Sequence, residues 1–519
     1  MATPAPTTPP PPMTGAMLVM ASMALALATF MNVLDVSIAN VSIPALSGDL
    51  GVSFSQGTWV ITSFAVANAI AVPLTGFLTQ RFGAVRLFVS SIVLFVIASF
   101  LCGTSTSLAM LVFFRVIQGA VAGPMIPLSQ SLLLSSYPKA KAGVALTIWS
   151  MTTLVAPVLG PILGGWITDN ISWPWIFYIN IPIGLFAAGM TWALYRHRET
   201  PTRKVPIDYV GLGLLIVWVG ALQILLDKGN ELDWFNSSQI ITLAIVSAVA
   251  FCFFLVWELT EKHPVVDLSL FKGRNFWSGT LALSVGYGVF FGNVVLLPLW
   301  LQQNMGYTAT LAGAVLAPVG LLAILLSPLV GKNITRIDPR LFATVAFMVF
   351  ALIFWMRSQF TPQADFVTIM IPSLIQGIAM ATFFVPLVTL IFSGLAHDRI
   401  PAASGLSNFV RIMAGGFGAS IFTSAWVNRT SAHHAVLAEH INFANPASQS
   451  VIYGLGQAGM NAQQSLGFIN NMVNQQAATM AADDMAWISA ILFILLISLI
   501  WLIHPIKTAV NSEATAGGH

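Results

Sequence analysis

Long apolar runs separated by short polar segments dominate the chain from residue 16 onward. A helix crossing a hydrocarbon core of about 30 Å needs about 20 mostly apolar residues. By that measure the sequence predicts spans near 16–41, 57–77, 85–104, 107–134, 143–168, 174–195, 207–226 and 238–258. Six more follow near 276–300, 309–330, 340–356, 365–393, 402–427 and 486–504. The expected fold class is an all-α membrane protein with 14 transmembrane helices. The segment 429–484 is rich in Ala, Gln, Asn and Ser, has no long apolar run, and reads as a long loop of polar helix and coil. A connection of that length points to a function such as docking. Residues 1–14, Pro- and Thr-rich and uncharged, read as a disordered tail without the basic start of a secretory signal.

Composition supports this pattern. Of 519 residues, 57% are hydrophobic and only 8% charged, against about 25% charged in soluble chains. Where the charges sit gives the orientation, because Lys and Arg concentrate in cytoplasmic loops. With a cytoplasmic N-terminus, the inner loops hold Arg81, Arg86, Lys139, Lys141, Arg196, Arg198, Arg203, Lys204, Lys262, Lys272, Arg274, Lys332, Arg336, Arg340 and Arg399, and the tail adds Lys507. Outside fall only Lys228, Arg357 and Arg429, while Arg115 and Arg411 lie within apolar runs. An odd span count would destroy this asymmetry, so both ends are expected inside. No basic stripe exists outside the short loops, so nucleic-acid binding has no support. Cys102 and Cys252 lie in separate apolar runs and give no disulfide framework.

The two ends of the chain resemble one another. PLTGFLTQRFGAVRLF (73–88) parallels PLVGKNITRIDPRLF (328–342), and Ile117-Gln118-Gly119 parallels Ile375-Gln376-Gly377. Both pairs of segments sit about eight spans apart. Six-span halves at 15–200 and 263–505 therefore flank two inserted spans within 201–262, with 506–519 as a cytoplasmic tail. Related halves around a midplane site are a recurrent transporter plan.

Few residues in the spans can carry chemistry. Asp35 is the carboxylate deepest in an apolar run, and Arg115 lies at matching depth, each about 12 Å from the same face at ~1.5 Å per residue. An ionisable group at the bilayer centre costs about 2.5–3.5 kcal/mol or more. Two at one depth therefore point to a pair or a shared polar cavity, serving either as a proton-coupling device or as a static bridge between spans one and four. Ala156, Gly160 and Gly164 recur every fourth residue beside Pro157, Pro161 and Gly165, a spacing that lets helices approach closely. Gln118, Asn180, Tyr287, Phe290, Asn293, Gln302 and Arg411 are candidates to line a substrate cavity. His433, His434 and His440 fall in the 429–484 segment without cysteines nearby and read as ordinary polar surface rather than a metal site. No G-x-x-x-x-G-K-[ST] phosphate loop exists, so no ATP site and no cofactor is expected, and an ion gradient is the expected energy source.

These motifs resemble the major facilitator superfamily, and within it the fourteen-span, EmrB-like drug:proton antiporters. Gly76-Phe77-Leu78-Thr79-Gln80-Arg81-Phe82-Gly83 is similar to the superfamily's loop 2–3 motif, with Gln80 where Asp is usual and Ala84 and Val85 where basic residues are usual. Arg115, Gln118 and Gly119 resemble the span-four motif whose arginine is linked to proton coupling. Gly160-Pro161-Ile162-Leu163-Gly164-Gly165 resembles the span-five antiporter motif, and Leu34-Asp35 with Ile38, Asn40 and Pro44 resembles the span-one motif. QGTWVITSF (56–64), FFRVIQG (113–119) and IPLSQSLLL (126–134) extend the likeness to inner-membrane subunits of tripartite pumps. The resemblance implies a major facilitator fold and antiport of protons against hydrophobic, often weakly acidic drugs across the bacterial inner membrane. It also implies an EmrA-like periplasmic adaptor and a TolC-like outer-membrane channel. A narrower exporter of fatty acids or one metabolite is the alternative. A membrane-embedded enzyme lacks a triad, a metal cluster or paired intramembrane carboxylates.

Overall fold

The computed structural model describes residues 12–504, except 53, 139–140, 204–205, 230, 335, 397–398, 440 and 442–445. Both predicted tails thus lie almost wholly outside the described residues, as do Lys139, Lys204, His440 and Lys507. The described chain is helical almost throughout. The N-terminal part contains α1 (Gly15–Asp49), α2 (Trp59–Ala71), α3 (Thr75–Phe82), α4 (Ala84–Gly103), α5 (Leu108–Ala122), α6 (Met125–Ser136), α7 (Ala142–Asn170) and α8 (Asn180–Tyr195). An inserted pair, α9 (Tyr209–Lys228) and α10 (Ser238–Thr260), follows. The C-terminal part contains α11 (Arg274–Asn304), α12 (Ala309–Leu316), α13 (Pro318–Asn333), α14 (Pro339–Arg357), α15 (Phe366–Phe392), α16 (Ile400–Glu439) and α17 (Ala462–Trp501).

Helix ends fall where the side chains can satisfy the first free backbone N–H groups. Ser107, Asp208, Thr308, Asp365 and Asn461 each accept a hydrogen bond from an N–H in the first turn of α5, α9, α12, α15 and α17. Between α2 and α3, at Pro73, the chain bends by 62°. Proline at that point removes a backbone donor and opens the helix.

Among the described residues, eleven helices are long and apolar enough to cross a membrane, or twelve if α2 and α3 form one bent span. The other two sequence-derived runs lie in α7 and α16, which are 29 and 40 residues long and are not among those counted. All fourteen runs are therefore helical, but apolarity and length alone do not establish fourteen spans.

Helices α16 and α17 are each 40 residues long, about 60 Å at ~1.5 Å per residue, twice the thickness of a ~30 Å hydrocarbon core. The segment 429–484 is thus largely the antiparallel continuation of two helices. His433 Nε2 lies 2.9 Å from Asp484 Oδ2, and Trp426 Nε1 donates to the Ala478 carbonyl at 2.9 Å. No group of His, Cys, Asp and Glu among the described residues could hold a metal ion.

Each half has its own core. In the N-terminal half α1 packs on α7 and α8 around Leu25, Met31, Phe88 and Phe95. In the C-terminal half Phe347, Phe350, Phe354, Phe383 and Phe493 form a stacked aromatic cluster, with Phe350 and Phe493 centroids 4.7 Å apart. The inserted α9 touches both halves: Gly220 faces Val66 on α2, Trp218 meets Phe409 on α16 edge-on at 5.8 Å, and Ser420 of α16 donates to the Leu226 carbonyl.

The basic loops converge on one face. Met13 N–H donates to the Ser136 carbonyl, Arg203 N–H to the Gln80 carbonyl, and Arg399 Nη2 lies 2.6 Å from Asp267 Oδ2. At that face the halves meet in close contact. A methyl at Gly143 would lie 2.4 Å from the Gly331 carbonyl oxygen, and one at Gly76 would lie 2.6 Å from the Ala402 side chain. Thr147 donates to the Ser327 carbonyl at 3.2 Å, and Ser404 donates to Gln130 Oε1.

Candidate functional site

Asp35 sits about three-fifths of the way along α1, where the apolar pattern turns that face of the helix inward, and is 2% exposed. Arg115 of α5 is fully buried. Its Nη1 donates to Asp35 Oδ2 at 2.6 Å and to Gln118 Oε1 at 2.7 Å, and its Nε donates to the Val60 carbonyl at 2.9 Å. Two further donors complete the carboxylate: Gln118 Nε2 at 3.1 Å and Asn180 Nδ2 at 2.8 Å, both to Asp35 Oδ1. Ser99 Oγ of α4 accepts from Gln118 Nε2 at 2.7 Å. The Arg115 guanidinium lies over the Phe64 ring at 4.3 Å. An ion pair this deep is tolerated only because hydrogen bonds and ring faces replace the lost water.

The surrounding helices close the carboxylate off from water. Five helices meet at it: α1, α2, α4, α5 and α8, all of the N-terminal half. Arg115 Nη2 and Asn180 Oδ1 have no hydrogen-bond partner among the described residues, so the network retains one unused donor and one unused acceptor.

Helix α7 links this site to the contact between halves. A Cβ on Gly160 would lie 2.4 Å from Ser37 Cβ, and one on Gly164 would lie 3.1 Å from the Ile38 carbonyl oxygen. Both contacts fall within a turn of Asp35. Gly165 is partly buried on the same stretch, and the Pro161 side chain lies outside the described residues. Seventeen residues before Gly160, the same helix makes the Gly143–Gly331 contact at the basic face. At ~1.5 Å per residue the two points are about 25 Å apart on one rigid rod.

The other sequence-derived candidates separate. Gln118 and Asn180, read as cavity residues, are instead bound to Asp35, because α5 and α8 turn those faces toward α1. Gln302 is exposed and bonds its own helix at the Pro298 carbonyl. Arg411, Tyr287 and Phe290 do come together: the guanidinium lies 4.6 Å over the Tyr287 ring, and Tyr287 packs on Phe290 at 6.1 Å. Arg411 Nη2 also donates to Asn408 Oδ1 at 2.9 Å. That group sits where α11, α15 and α16 meet, next to the Gln130–Ser404 contact that crosses the halves. Asn293 lies apart from it, buried, donating to Ser489 Oγ at 2.9 Å.

Sequence reading missed Ser99, Gln130 and Arg357. Arg357 was placed in an outer loop because it ends an apolar run, yet it is 5% exposed and its Nη2 donates to Gln376 Oε1 at 2.7 Å. The match of Ile375-Gln376-Gly377 to the segment holding Gln118 was the signal that could have found it.

Two helical halves that meet in a close seam at one face, with a buried acid–base pair in one of them, follow the two-halved plan of a membrane transporter. The Major Facilitator Superfamily model matches residues 25–419, and the chain belongs to that superfamily, one of transporters rather than enzymes. It is 53% identical over 495 residues to the multidrug export protein EmrB of Escherichia coli (strain K12), covering 95% of this chain and 97% of that protein. It is 50% identical over 509 residues to the fatty acid resistance protein FarB of Neisseria gonorrhoeae, covering 98% and 99%. A crystal structure of a double-tryptophan variant of XylE shares the fold, with a TM-score of 0.59 at 14% identity over 96% of this chain and 98% of that one.

Proposed function

We propose that the protein is a proton-coupled antiporter that exports hydrophobic toxic compounds across the bacterial inner membrane, with both termini cytoplasmic and the basic face inward. The observation that carries this reading is the sealed Asp35–Arg115 pair on the helix that α7 grips. A proton taken up by Asp35 cancels its charge and releases Arg115 Nη1 and the two amide donors. Loss of that attraction frees α1 against α5 and α8, and α7 carries the change to the Gly143–Gly331 seam. Deprotonation restores the pair. Arg411, Tyr287 and Phe290, where the halves meet, suit an apolar substrate with a polar or anionic end, because a guanidinium over a ring offers both.

The two most informative relatives are named for multidrug export and for fatty acid resistance. Further relatives at 47–53% identity are also named for multidrug export or resistance, so broad export is the first reading and a narrower fatty-acid exporter the second. As in tripartite pumps, an EmrA-like periplasmic adaptor would receive the substrate and pass it to a TolC-like channel, and the α16–α17 extension, built of helices longer than a hydrocarbon core needs, is the candidate surface for such a partner. The test is drug uptake into inside-out vesicles under an imposed proton gradient. Asp35→Asn should abolish gradient-driven accumulation while leaving the protein folded. Full retention of it would refute the coupling role.

A further inference from the structure

Helix α9 lies between the two halves and grips each with different chemistry. Toward the N-terminal half the contacts use ionisable side chains. Thr62 of α2 donates to Asp227 Oδ2, and Lys228 Nζ donates to Thr58 Oγ1, at the head of the same helix, at 3.2 Å. That ammonium also lies 5.3 Å from the Trp59 ring centroid. The segment leading into α9 is stapled to the same half, with Glu199 accepting from the backbone N–H groups of Val85 and Arg86 at 3.0 and 2.9 Å. Helix α10 backs α9 as one body: Ser247 donates to the Trp218 carbonyl at 3.0 Å, and Phe251 packs on the Trp218 ring at 5.0 Å.

Toward the C-terminal half the contacts are neutral. Gly416, Ser420 and Ser424 recur every fourth residue along α16, and each meets α9 or the turn that follows it. A Cβ on Gly416 would lie 3.7 Å from the Gln223 amide, Ser420 Oγ donates to the Leu226 carbonyl at 2.7 Å, and Trp234 Nε1 donates to Ser424 Oγ at 2.9 Å. Ser424 itself donates to its own helix at the Ser420 carbonyl, 2.7 Å away, so its hydroxyl proton needs no partner on α9. A face of small side chains lets a neighbouring helix pass close to the backbone. Parting α9 from α2 instead would strip a partner from a carboxyl and from an ammonium that is 7% exposed. Such contacts are strongest in surroundings of low dielectric.

When the halves rock against one another, α9 can follow only one of them. We propose that the inserted α9–α10 pair moves with the N-terminal half, and that the Gly416–Ser420–Ser424 face of α16 is the surface along which it slides. The pair then keeps the gap between α2 and α16 covered while the halves change their angle. The rocking motion itself rests on the antiport reading above; which side of α9 slips rests on its contacts.

The experiment joins pairs of cysteines with a short, reducible bis-thiosulfonate linker in the full-length protein, with the exposed Cys252 replaced by serine. Thr62→Cys with Asp227→Cys ties α9 to α2, and Ser424→Cys with Trp234→Cys ties the turn after α9 to α16. In inside-out vesicles the α2 link should leave gradient-driven drug uptake unchanged, and the α16 link should abolish it until reductant cleaves the linker. A second measurement needs no transport: spin-label distances from Phe235, exposed beyond α9, to the exposed Gln56 before α2 and Val427 on α16. Gly143→Ala, which crowds the seam between the halves, should change the distance to Val427 and leave that to Gln56 in place. Uptake stopped by the α2 link or untouched by the α16 link overturns the proposal. So does a Phe235–Gln56 distance that changes, or a Phe235–Val427 distance that does not. Should a cysteine pair fail to fold, the spin labels decide the question. Asp35→Asn tests proton coupling without any link, so failure there is distinct from failure here.

Discussion

Replacing Gly143 by alanine places a methyl 2.4 Å from the Gly331 carbonyl oxygen and 2.4 Å from Ile334 Cγ2. Ordinary contact lies near 3.5–4.0 Å, so α7 and α13 must separate by about 1 Å. Gly331 backbone cannot swing aside as a flexible side chain would, and the reverse substitution meets Thr147 Oγ1 at 2.3 Å. Overpacking of this kind costs about 1–3 kcal/mol. The two residues belong to different halves, so alternating access breaks their contact in the inward-facing state and the penalty falls on the inward-closed state alone. That moves the equilibrium toward inward-facing by about 5- to 140-fold, at ~1.4 kcal/mol per tenfold. Spin labels on the basic-face ends of α7 and α13 measure this directly as a longer inter-half distance, and melting temperature should change little. An unchanged distance distribution in both Gly143→Ala and Gly331→Ala would show that the seam does not open, and the rocking argument would fail.

Three further outcomes follow from the same geometry. Gly160→Ala sets its methyl 2.4 Å from Ser37 Cβ within the N-terminal half, so it should lower thermal stability by about 1–3 kcal/mol and slow transport without lengthening the inter-half distance; an unaltered melting curve would mean α1 yields freely. Arg115→Leu should destabilise by about 3–5 kcal/mol by stranding the Asp35 charge, whereas the double variant Asp35→Leu, Arg115→Leu should recover most of that; detergent melting curves compare them, and equal losses would deny that the two charges form one unit. At the basic face, partial burial pushes the Asp267 carboxyl up, but hydrogen bonds from Ser269 and Arg399 and the Arg399 charge outweigh it and hold the carboxyl below the ordinary aspartate value. Its contribution is then full above that ordinary value and fades as pH falls through the folded one. Asp267→Asn should cost at most about 1 kcal/mol at neutral pH, the pair being partly exposed, and nothing in strong acid; a penalty that persisted at low pH would contradict the pairing.

The runs of apolar residues alone determined the helices, because a bilayer admits only spans with fully paired backbones and long apolar runs, and the Lys and Arg between them gave the expected orientation. Matching depth along two such runs was enough to bring Asp35 and Arg115 together as candidates, since depth in a membrane is a one-dimensional coordinate that sequence position reports. Rotation about each helix axis is not reported in that way. That is why Gln118 and Asn180 read as cavity residues until the packing of α1, α5 and α8 turned them onto Asp35, and why Arg357 read as a loop residue until α15 was placed beside it. Gly143 and Gly331 sit far apart in the sequence and carry no chemistry that would flag them. Only the docking of the two halves, a long-range contact between backbones, made them a seam.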